Sequence, residues 1–270
     1  MEKSDLSRIR LFLFDLDGTL YLGERLFDFT LPLLRRIRET GRRYCFLTNN
    51  SSKSVEDYVK KLTRLGIPAE PGDFVTSAQA TVRYLQETLP GARLYVCGTA
   101  SLQRELAESG FSVVNGDPDA AEAVVMGYDT ELSYQKLLDA SRLLTGRPGL
   151  PYVATNPDLV CPTEWGFVPD CGSVCGMLKT ATGRSPVVIG KPEPRMVQLA
   201  MERFGVGPAQ TAVVGDRIYT DVKSGLNAKC AGVLVLSGET TEDILAASPD
   251  KPDLVLENAG EIIEQLTINS

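Results

Sequence analysis

Short apolar runs alternate with amphipathic stretches of helical length along the whole chain. The runs are continuously apolar, as is typical of strands buried on both faces of a parallel sheet. This alternation predicts an α/β fold, with parallel sheets covered by helices. The predicted strands are Leu11–Phe14, Tyr44–Leu47, Leu94–Cys97, Ala123–Met126, Tyr152–Ala154, Val187–Ile189, Thr211–Val214, Gly232–Leu236 and Asp253–Leu256. The predicted helices are Leu31–Glu39, Ser54–Leu65, Ser133–Leu144, Pro194–Phe204 and Tyr219–Ala228.

Two stretches rich in small and turn-forming residues divide the chain, one at Val75–Ser77 and the other at Thr182–Pro186. They bracket a middle block that has its own β/α alternation. We therefore expect residues 78–182 to form an inserted α/β domain. Residues 1–77 and 183–270 are expected to fold together as one core domain, and a chain of 270 residues is long enough for both.

The composition excludes several classes of protein. The chain has no histidine, so a Ser-His-Asp triad, a phosphohistidine and His-ligated zinc are all excluded. The net charge of −7 argues against a nucleic-acid polymer as partner. No apolar run approaches the roughly 20 residues that span a bilayer, and the charged N-terminus is unlike a secretory signal. We therefore expect a cytoplasmic protein that does not bind a membrane. The six cysteines form no C-x-x-C pair, which favours buried, reduced thiols.

Polar clusters directly follow four strand-like runs in the outer parts of the chain. They are Asp15-Leu16-Asp17-Gly18-Thr19, Thr48-Asn49-Asn50-Ser51-Ser52, Gly190-Lys191-Pro192 and Gly215-Asp216-Arg217, with Asp221 shortly after the last. Open parallel sheets bind ligands outside the carboxyl ends of their strands. If the four runs are neighbouring parallel strands, these clusters converge and gather up to four carboxylates, one ammonium group and one hydroxyl.

This set of groups is suited to phosphoryl transfer. Clustered carboxylates repel one another, and Mg²⁺ relieves that repulsion while it binds a substrate phosphate. Asp15 can then act as a nucleophile, and Asp17 can protonate the leaving oxygen and later activate water. Gly18 permits a tight turn beside the phosphate. Thr48 offers a hydroxyl and an N–H to a phosphoryl oxygen, and Lys191 supplies a positive charge.

Each cluster also has a purely structural interpretation. The first and the last can be ordinary turns, and the cluster that begins at Thr48 can be an N-capped connection from strand to helix. The conjunction of four complementary clusters, each at the end of a buried-type strand, favours the catalytic interpretation.

At these residues the sequence resembles the haloacid dehalogenase (HAD) superfamily, in particular its NagD-like or para-nitrophenylphosphatase branch. Asp15-Leu16-Asp17-Gly18-Thr19 is similar to the first motif of the family, Thr48-Asn49-Asn50-Ser51 to the second and Gly190-Lys191-Pro192 to the third. The segment from Gly215-Asp216-Arg217 to Asp221 is similar to the fourth. Residues Ala154–Asp158 and Gly166–Pro169 resemble the signature of the α/β cap in this branch.

The resemblance implies a Rossmann-like core with an inserted α/β cap of the C2 type, which closes over the active site. It implies Mg²⁺ held by a side-chain oxygen of Asp15, the backbone carbonyl of Asp17 and the side chain of Asp216. Asp221 would support this site from behind the direct ligands. The candidate substrate-binding residues are Gly18, Asn49, Asn50, Asn156 and Asp170.

Asp170 marks a departure from the family pattern, because the cap signature usually continues with Pro-Gly and here reads Pro169-Asp170. A carboxylate at this position can reject anionic leaving groups or bind a hydroxylated or cationic one. It can equally be the N-cap of the helix that follows.

The predicted activity is Mg²⁺-dependent hydrolysis of small phosphate monoesters, such as a sugar phosphate or a nucleotide, through an aspartyl-phosphate. One alternative keeps this intermediate but passes the phosphoryl group to a sugar hydroxyl, as a phosphotransferase or mutase does. A second alternative is a non-catalytic phospho-acceptor module. The expected partner is a small phosphorylated metabolite, and a homodimer is a candidate assembly.

Overall fold

The computed structural model describes residues 6–163 and 165–266. The strands are β1 (Leu11–Phe14), β2 (Tyr21–Leu22), β3 (Arg25–Leu26), β4 (Arg43–Thr48), β5 (Phe74–Thr76), β6 (Arg93–Cys97), β7 (Ser112–Val113), β8 (Ala123–Met126), β9 (Tyr152–Ala154), β10 (Val160–Thr163), β11 (Gly166–Pro169), β12 (Val187–Val188), β13 (Thr211–Gly215), β14 (Ala231–Val235) and β15 (Leu254–Leu256). The α-helices are α1 (Thr30–Glu39), α2 (Val55–Arg64), α3 (Ser77–Thr88), α4 (Ala100–Glu108), α5 (Tyr134–Gly146), α6 (Cys171–Thr182), α7 (Arg195–Phe204), α8 (Lys223–Asn227), α9 (Glu242–Ala247) and α10 (Ile262–Gln265). The 3-10 helices are Leu6–Arg8, Pro71–Asp73, Pro118–Ala120, Pro208–Gln210 and Ala259–Glu261, and Ile218–Val222 is a π-helix.

The chain divides into two compact units. Unit 1 consists of Met1–Thr48, Val59–Val75 and Lys191–Ser270, and unit 2 consists of Asn49–Tyr58 and Thr76–Gly190. Residues 49–58, 76–77 and 183–190, which were expected in the core domain, group with unit 2. The last of these segments contains β12, which pairs with β9. The assignment of the two units as a catalytic core and a cap stays a prediction.

Unit 1 is built on a six-stranded sheet in the order β15-β14-β13-β1-β4-β5. Every residue of β1 is buried, and the strand runs parallel to β13 on one side and to β4 on the other. The chain goes from β1 to β4 in one direction along the sheet and later returns to β13 in the other. Open α/β sheets bind ligands at such a switch point, outside the carboxyl ends of the strands.

A π-helix follows β13 in place of the first part of the single helix that the sequence predicts over Tyr219–Ala228. The N–H groups of Thr220, Asp221 and Val222 all point to the carbonyl oxygen of Arg217, at 3.4, 2.9 and 3.4 Å. The wide turn brings Asp221 against the end of β13, where a Cβ at Gly215 would lie 2.3 Å from the Asp221 Cβ. Such turns are frequent at functional sites.

Unit 2 has a five-stranded sheet in the order β12-β9-β8-β6-β7 and an antiparallel hairpin of β10 and β11. Its paired strands β12–β9, β9–β8, β8–β6 and β6–β7 are all parallel. We expected the four polar clusters to follow four neighbouring strands of one sheet. This expectation is wrong for one of the four clusters. The run before Lys191 is β12, and a short apolar run carries no information on which sheet it joins.

The predicted α/β class with parallel sheets is confirmed, and most predicted elements lie within two residues of the observed bounds. The six cysteines are reduced thiols, and all except the half-buried Cys161 are buried. Among the described residues, no helix is both long and apolar enough to cross a membrane.

Candidate active site

The carboxyl ends of β1, β13 and β4 place three of the predicted residues side by side in unit 1. Asp15 follows β1 directly, and its backbone N–H still donates to the carbonyl of Val214 in β13 at 2.9 Å. Asp216 is the first residue after β13, and Thr48 is the last residue of β4. Thr48 and Asp216 are both buried.

Lys191 lies between two of the carboxylates. Its Nζ donates to Asp15 Oδ1 at 2.6 Å, to Asp221 Oδ1 at 2.5 Å and to the carbonyl of Leu47 at 3.4 Å. The side chain of Lys191 is only 4 % exposed and that of Asp221 only 1 %. A buried ammonium that bridges two carboxylates orients both of them and compensates part of their charge.

Asp216 is held through one oxygen and leaves the other unpartnered. Its Oδ2 accepts the backbone N–H of Glu239 at 2.7 Å, and its Oδ1 is buried without a hydrogen-bond partner among the described residues. A Cβ at Gly18 would lie 2.5 Å from Oδ2, and one at Gly238 only 2.1 Å from it. Both glycines therefore let the backbone approach the carboxylate closely.

Asp221 differs from Asp216 because both of its oxygens are engaged. Oδ1 accepts from Lys191, and Oδ2 accepts the backbone N–H of Arg217 at 3.1 Å. This arrangement makes Asp221 a support for Lys191 and for the turn after β13. The predicted role of Asp221 behind the direct metal ligands is compatible with these contacts and stays a prediction.

Burial, reinforced by neighbouring carboxylates, raises the proton affinity of Asp15 and Asp216. Burial, opposed by Lys191 and reinforced by Asp221, raises the pKa of Asp15 from 3.8 to about 6. Burial, followed by the charges of Asp15 and Asp221, raises the pKa of Asp216 from 3.8 to about 8. Burial alone would lower the pKa of Lys191, but the two carboxylates raise it above its ordinary value, so this residue stays charged.

The residues present fit a hard divalent cation. Asp15, Asp216 and Asp221 each offer a carboxylate oxygen, and these atoms lie within 4.8 Å of one another. Within the described part of the chain, the buried Oδ1 of Asp216 lacks the hydrogen bond that a buried carboxylate oxygen normally has. Carboxylate oxygens are the ligands that Mg²⁺ and Ca²⁺ prefer.

Asp17 and Gly18 lie beside this group, in a segment that leads into the hairpin of β2 and β3. Gly18 has a φ of +82° and donates its N–H to the carbonyl of Tyr21 at 2.7 Å. The Asp17 side chain is 43 % exposed, accepts the N–H of Gly23 at 3.5 Å and lies 4.0 Å from Lys61 Nζ. Asp17 is therefore open to solvent, unlike the buried Lys191.

The other predicted substrate-binding residues belong to unit 2. Asn49 donates to both carboxylate oxygens of Asp158, at 3.1 and 3.2 Å, and Asn156 donates to the carbonyl of Asn49 at 2.8 Å. Asn50 closes a local turn by accepting the N–H of Ser52 at 2.9 Å. These residues form a hydrogen-bonded network within unit 2, and their substrate-binding role stays a prediction.

Asp170 is the N-cap of α6. Its Oδ1 accepts the N–H of Cys171 at 2.5 Å, and the residue is 4 % exposed. The alternative of an N-cap is therefore the one that the structure shows, and a role of Asp170 in substrate binding stays a prediction.

Glu239 contacts the site although no sequence pattern pointed to it. Glu239, in the loop after β14, holds Asp216 through its backbone and pairs with Arg217 at 2.8 Å through its side chain. Burial would lower the pKa of Arg217, but Glu239, Asp15 and Asp221 raise it. A backbone N–H donor leaves no pattern in a sequence. Only the glycine of the Ser237-Gly238 turn could have indicated that the backbone comes close to Asp216.

Known proteins match this chain along nearly its whole length. A model described as haloacid dehalogenase-like hydrolase matches residues 12–112, and a second HAD-hydrolase-like model matches residues 188–262. An acid sugar phosphatase of Staphylococcus aureus (strain MRSA252) is 34 % identical over 261 residues, which are 97 % of this chain and 99 % of the relative.

Solved structures agree with these matches. A 4-nitrophenylphosphatase from Thermotoga maritima has a TM-score of 0.92 and 39 % identity, covering 97 % of this chain and 99 % of its own. NagD from E. coli K-12 has a TM-score of 0.85 and 28 % identity, covering 94 % and 98 %.

The fold and these relatives define a HAD-like hydrolase, and the chain belongs to the haloacid dehalogenase superfamily. Within it, the chain is a member of the branch that contains NagD and the 4-nitrophenylphosphatases. The resemblance found in the sequence and the predicted enzyme class, a phosphoric monoester hydrolase, are both confirmed.

Proposed function

We propose that this protein is a Mg²⁺-dependent phosphatase that hydrolyses small phosphate monoesters through an aspartyl-phosphate on Asp15. One observation carries the proposal. The Asp15 carboxylate lies at the end of β1 and accepts a hydrogen bond from Lys191. One of its oxygens lies within 4.8 Å of oxygens of two further carboxylates, those of Asp216 and Asp221. A carboxylate placed in this way can attack phosphorus once the negative charge around it is compensated.

In the first proposed step, an Asp15 carboxylate oxygen forms a bond to phosphorus while the bond from phosphorus to the ester oxygen breaks. Asp17 gives its proton to the departing oxygen. Lys191 fixes Asp15 through Oδ1, and the Thr48 hydroxyl and N–H bind a phosphoryl oxygen. In the second step water attacks phosphorus, Asp17 takes the proton of that water, and the carboxylate of Asp15 is released with inorganic phosphate.

Asp15, Asp216 and the backbone carbonyl of Asp17 would hold Mg²⁺, and Asp221 would support them through Lys191 and Arg217. The bound ion supplies positive charge that offsets the repulsion between the carboxylates and an anionic ester. The raised pKa values of Asp15 and Asp216 support this assignment, because these carboxylates gain most from a compensating cation.

The relatives suggest which esters to test first. One is named an acid sugar phosphatase, and a further structural neighbour from Mycobacterium tuberculosis is named a glycerol phosphate phosphatase. We therefore propose a sugar phosphate or polyol phosphate as substrate, with a nucleoside monophosphate as the next class. The cytoplasm as location and a homodimer as assembly stay predictions.

The test is the release of inorganic phosphate from 4-nitrophenyl phosphate by the wild type and by Asp15→Asn, each with Mg²⁺ and with EDTA. Activity that needs both the ion and Asp15 supports the proposal. Activity that survives EDTA or the substitution contradicts it. Phosphate release only after a sugar hydroxyl acceptor is added would favour the phosphotransferase alternative.

A further inference from the structure

Asp17 is the least constrained member of the proposed machinery. Lys191, Asp216 and Asp221 are nearly fully buried, whereas 43 % of the Asp17 side chain is exposed. Among the described residues, the Asp17 side chain accepts a hydrogen bond from the Gly23 N–H, and this bond is long, at 3.5 Å. An acid–base group must lie within hydrogen-bonding reach of the atom that it protonates, so something else must restrict this carboxylate.

The segment around Asp17 is held by its own hairpin. An isolated β-bridge joins Asp17 to Tyr21, and Gly18 N–H donates to the Tyr21 carbonyl at 2.7 Å. The turn between β2 and β3 begins at Gly23, whose φ of +60° suits the first central position of a tight hairpin turn. This turn is what presents the Gly23 N–H to Asp17. The orientation of Asp17 therefore depends on where this hairpin lies.

Helix α2 contacts the hairpin through two basic residues one turn apart. The ammonium group of Lys61 lies 4.2 Å from the centroid of the buried Tyr21 ring and 4.0 Å from Asp17 Oδ2. Arg64 pairs with Glu24 in the hairpin turn at 2.7 Å. The Lys61 side chain is only 19 % exposed, whereas those of Arg64 and Glu24 are 65 % and 58 % exposed. Exposed pairs contribute little, so Lys61 is the stronger of the two attachments.

We infer that Lys61 is a positioning residue for Asp17. Resting on the Tyr21 ring, its ammonium group attracts Asp17 Oδ2 and restricts the carboxylate to the orientation in which it meets the leaving oxygen. Lys61 acts through Asp17. The inference rests on the proposed function, in which Asp17 transfers the proton.

A simple stabilising role of the Lys61–Tyr21 contact would have different consequences. Loss of such a contact lowers the melting temperature and affects every substrate alike. Loss of a contact that positions the proton donor instead lowers kcat/KM mainly for esters whose leaving group needs a proton. The 4-nitrophenolate ion is a weak base and departs without much help, whereas phenolate is a stronger base and benefits from protonation as it leaves.

The experiment compares kcat/KM for 4-nitrophenyl phosphate and phenyl phosphate, two esters of similar size and shape. The value of kcat/KM for each ester reports the steps up to departure of the leaving group. The variants are Lys61→Met, Lys61→Arg, Asp17→Asn and the double variant Lys61→Met/Asp17→Asn. Lys60→Met, which removes an exposed charge from the same helix, is the matched control. Circular dichroism and melting temperature confirm folding.

Lys61→Met is expected to lower kcat/KM for phenyl phosphate by about 10-fold, a fraction of the ~10²-fold that acid–base catalysis supplies. For 4-nitrophenyl phosphate the expected loss is at most about 2-fold. Lys61→Arg restores most of the loss, and Lys60→Met changes neither ester. Because two residues that act through one group are not additive, Lys61→Met should cost nothing more in the Asp17→Asn background.

Equal losses for both esters, or an additive loss in the double variant, would overturn the role of Lys61. If Asp17→Asn itself affects both esters equally, the failure lies in the proposed acid–base role of Asp17. If Asp17→Asn is selective and Lys61→Met is not, only the inference about Lys61 fails.

Discussion

The polar edge of unit 1 and the polar network of unit 2 differ in how well their groups are satisfied. In unit 2, Asn49 bonds both oxygens of Asp158, and Ser51 and Thr155 bond each other at 2.9 Å. In unit 1, Asp15 and Asp221 share one lysine, and Asp216 keeps a buried oxygen without a partner among the described residues. Both regions are built from short polar side chains at the ends of buried strands.

The difference distinguishes a site built for structure from one built for chemistry. A satisfied network stabilises the fold and has little left to offer a ligand. A site with excess negative charge and an unpartnered oxygen costs stability, which a bound cation can offset. The raised pKa values of Asp15 and Asp216 are the direct expression of that cost.

The largest expected effect is that of Asp15→Asn. The substitution keeps the shape of the side chain but removes its ability to attack phosphorus, so kcat for 4-nitrophenyl phosphate should fall by at least ~10³-fold. The matched control is Asp158→Asn in unit 2, where the amide replaces a carboxylate that binds Asn49. That control should lose less than about 10-fold. Comparable losses in the two variants would remove the distinction between the regions.

Lys191→Met tests the ion pairs of the site and should lower kcat by about 10²–10³-fold. Removal of the buried ammonium also leaves Asp15 and Asp221 without their shared partner, so stability should fall by about 3–5 kcal/mol in EDTA. The control is Lys136→Met in unit 2, which breaks the 2.7 Å pair with Asp129. That variant should lose stability in urea titrations and keep its turnover. A Lys136→Met variant as inactive as Lys191→Met would contradict this account.

Asp216→Asn should weaken Mg²⁺ binding by at least ~10-fold, measured by calorimetry, because it removes the negative charge of this ligand and replaces one of its two oxygens with an NH₂ group. The pH dependence of stability gives a second readout. Since the pKa of Asp216 rises from 3.8 to about 8 and that of Asp15 from 3.8 to about 6, the metal-free folded state binds more protons than the unfolded state between these values. Its stability should therefore fall as the pH rises from about 4 to about 8.

The Asp216→Asn variant lacks the larger part of this dependence. Its melting temperature in EDTA should decline less than that of the wild type between about pH 5 and pH 8, and Mg²⁺ should raise it little. Parallel curves for the two proteins would mean that Asp216 is not the group whose charge destabilises the metal-free site.

The smallest effect is expected at Asp170, where the N-cap interpretation competes with substrate binding. Asp170→Asn keeps an N-cap oxygen and should change neither the melting temperature nor the preference among phosphate esters. Asp170→Ala should lose about 1 kcal/mol of stability without a change in preference. If both variants change the ratio of kcat/KM between a sugar phosphate and a nucleoside monophosphate, the result would support a substrate-binding role of Asp170 instead.

Much of this organisation was readable from the sequence because strand ends and polar residues coincide. The run before Asp15 is apolar without interruption, so its burial on both faces of a parallel sheet could be predicted from the sequence. Asp216 and Thr48 were located by the same reasoning, because the carboxyl ends of parallel strands share one edge.

Other features depend on tertiary contacts that no local pattern encodes. Two valines of β12 are equally suited to either sheet, and only their pairing with β9 assigns them to unit 2. In the π-helix after β13, Asp221 turns in to bond Lys191 and the Arg217 N–H, an arrangement that helical periodicity does not reveal. The approach of Lys61 to Asp17 joins segments far apart in the chain.

The most direct test of the account is to trap the covalent intermediate. The Asp17→Asn protein is mixed with 4-nitrophenyl phosphate and Mg²⁺, quenched in acid and examined by intact-mass and peptide mass spectrometry. Because the amide cannot activate water, the account predicts a protein carrying one phosphoryl group on Asp15, absent when EDTA replaces Mg²⁺. A release of 4-nitrophenol with no phosphorylated protein, or a phosphoryl group on another residue, would contradict it.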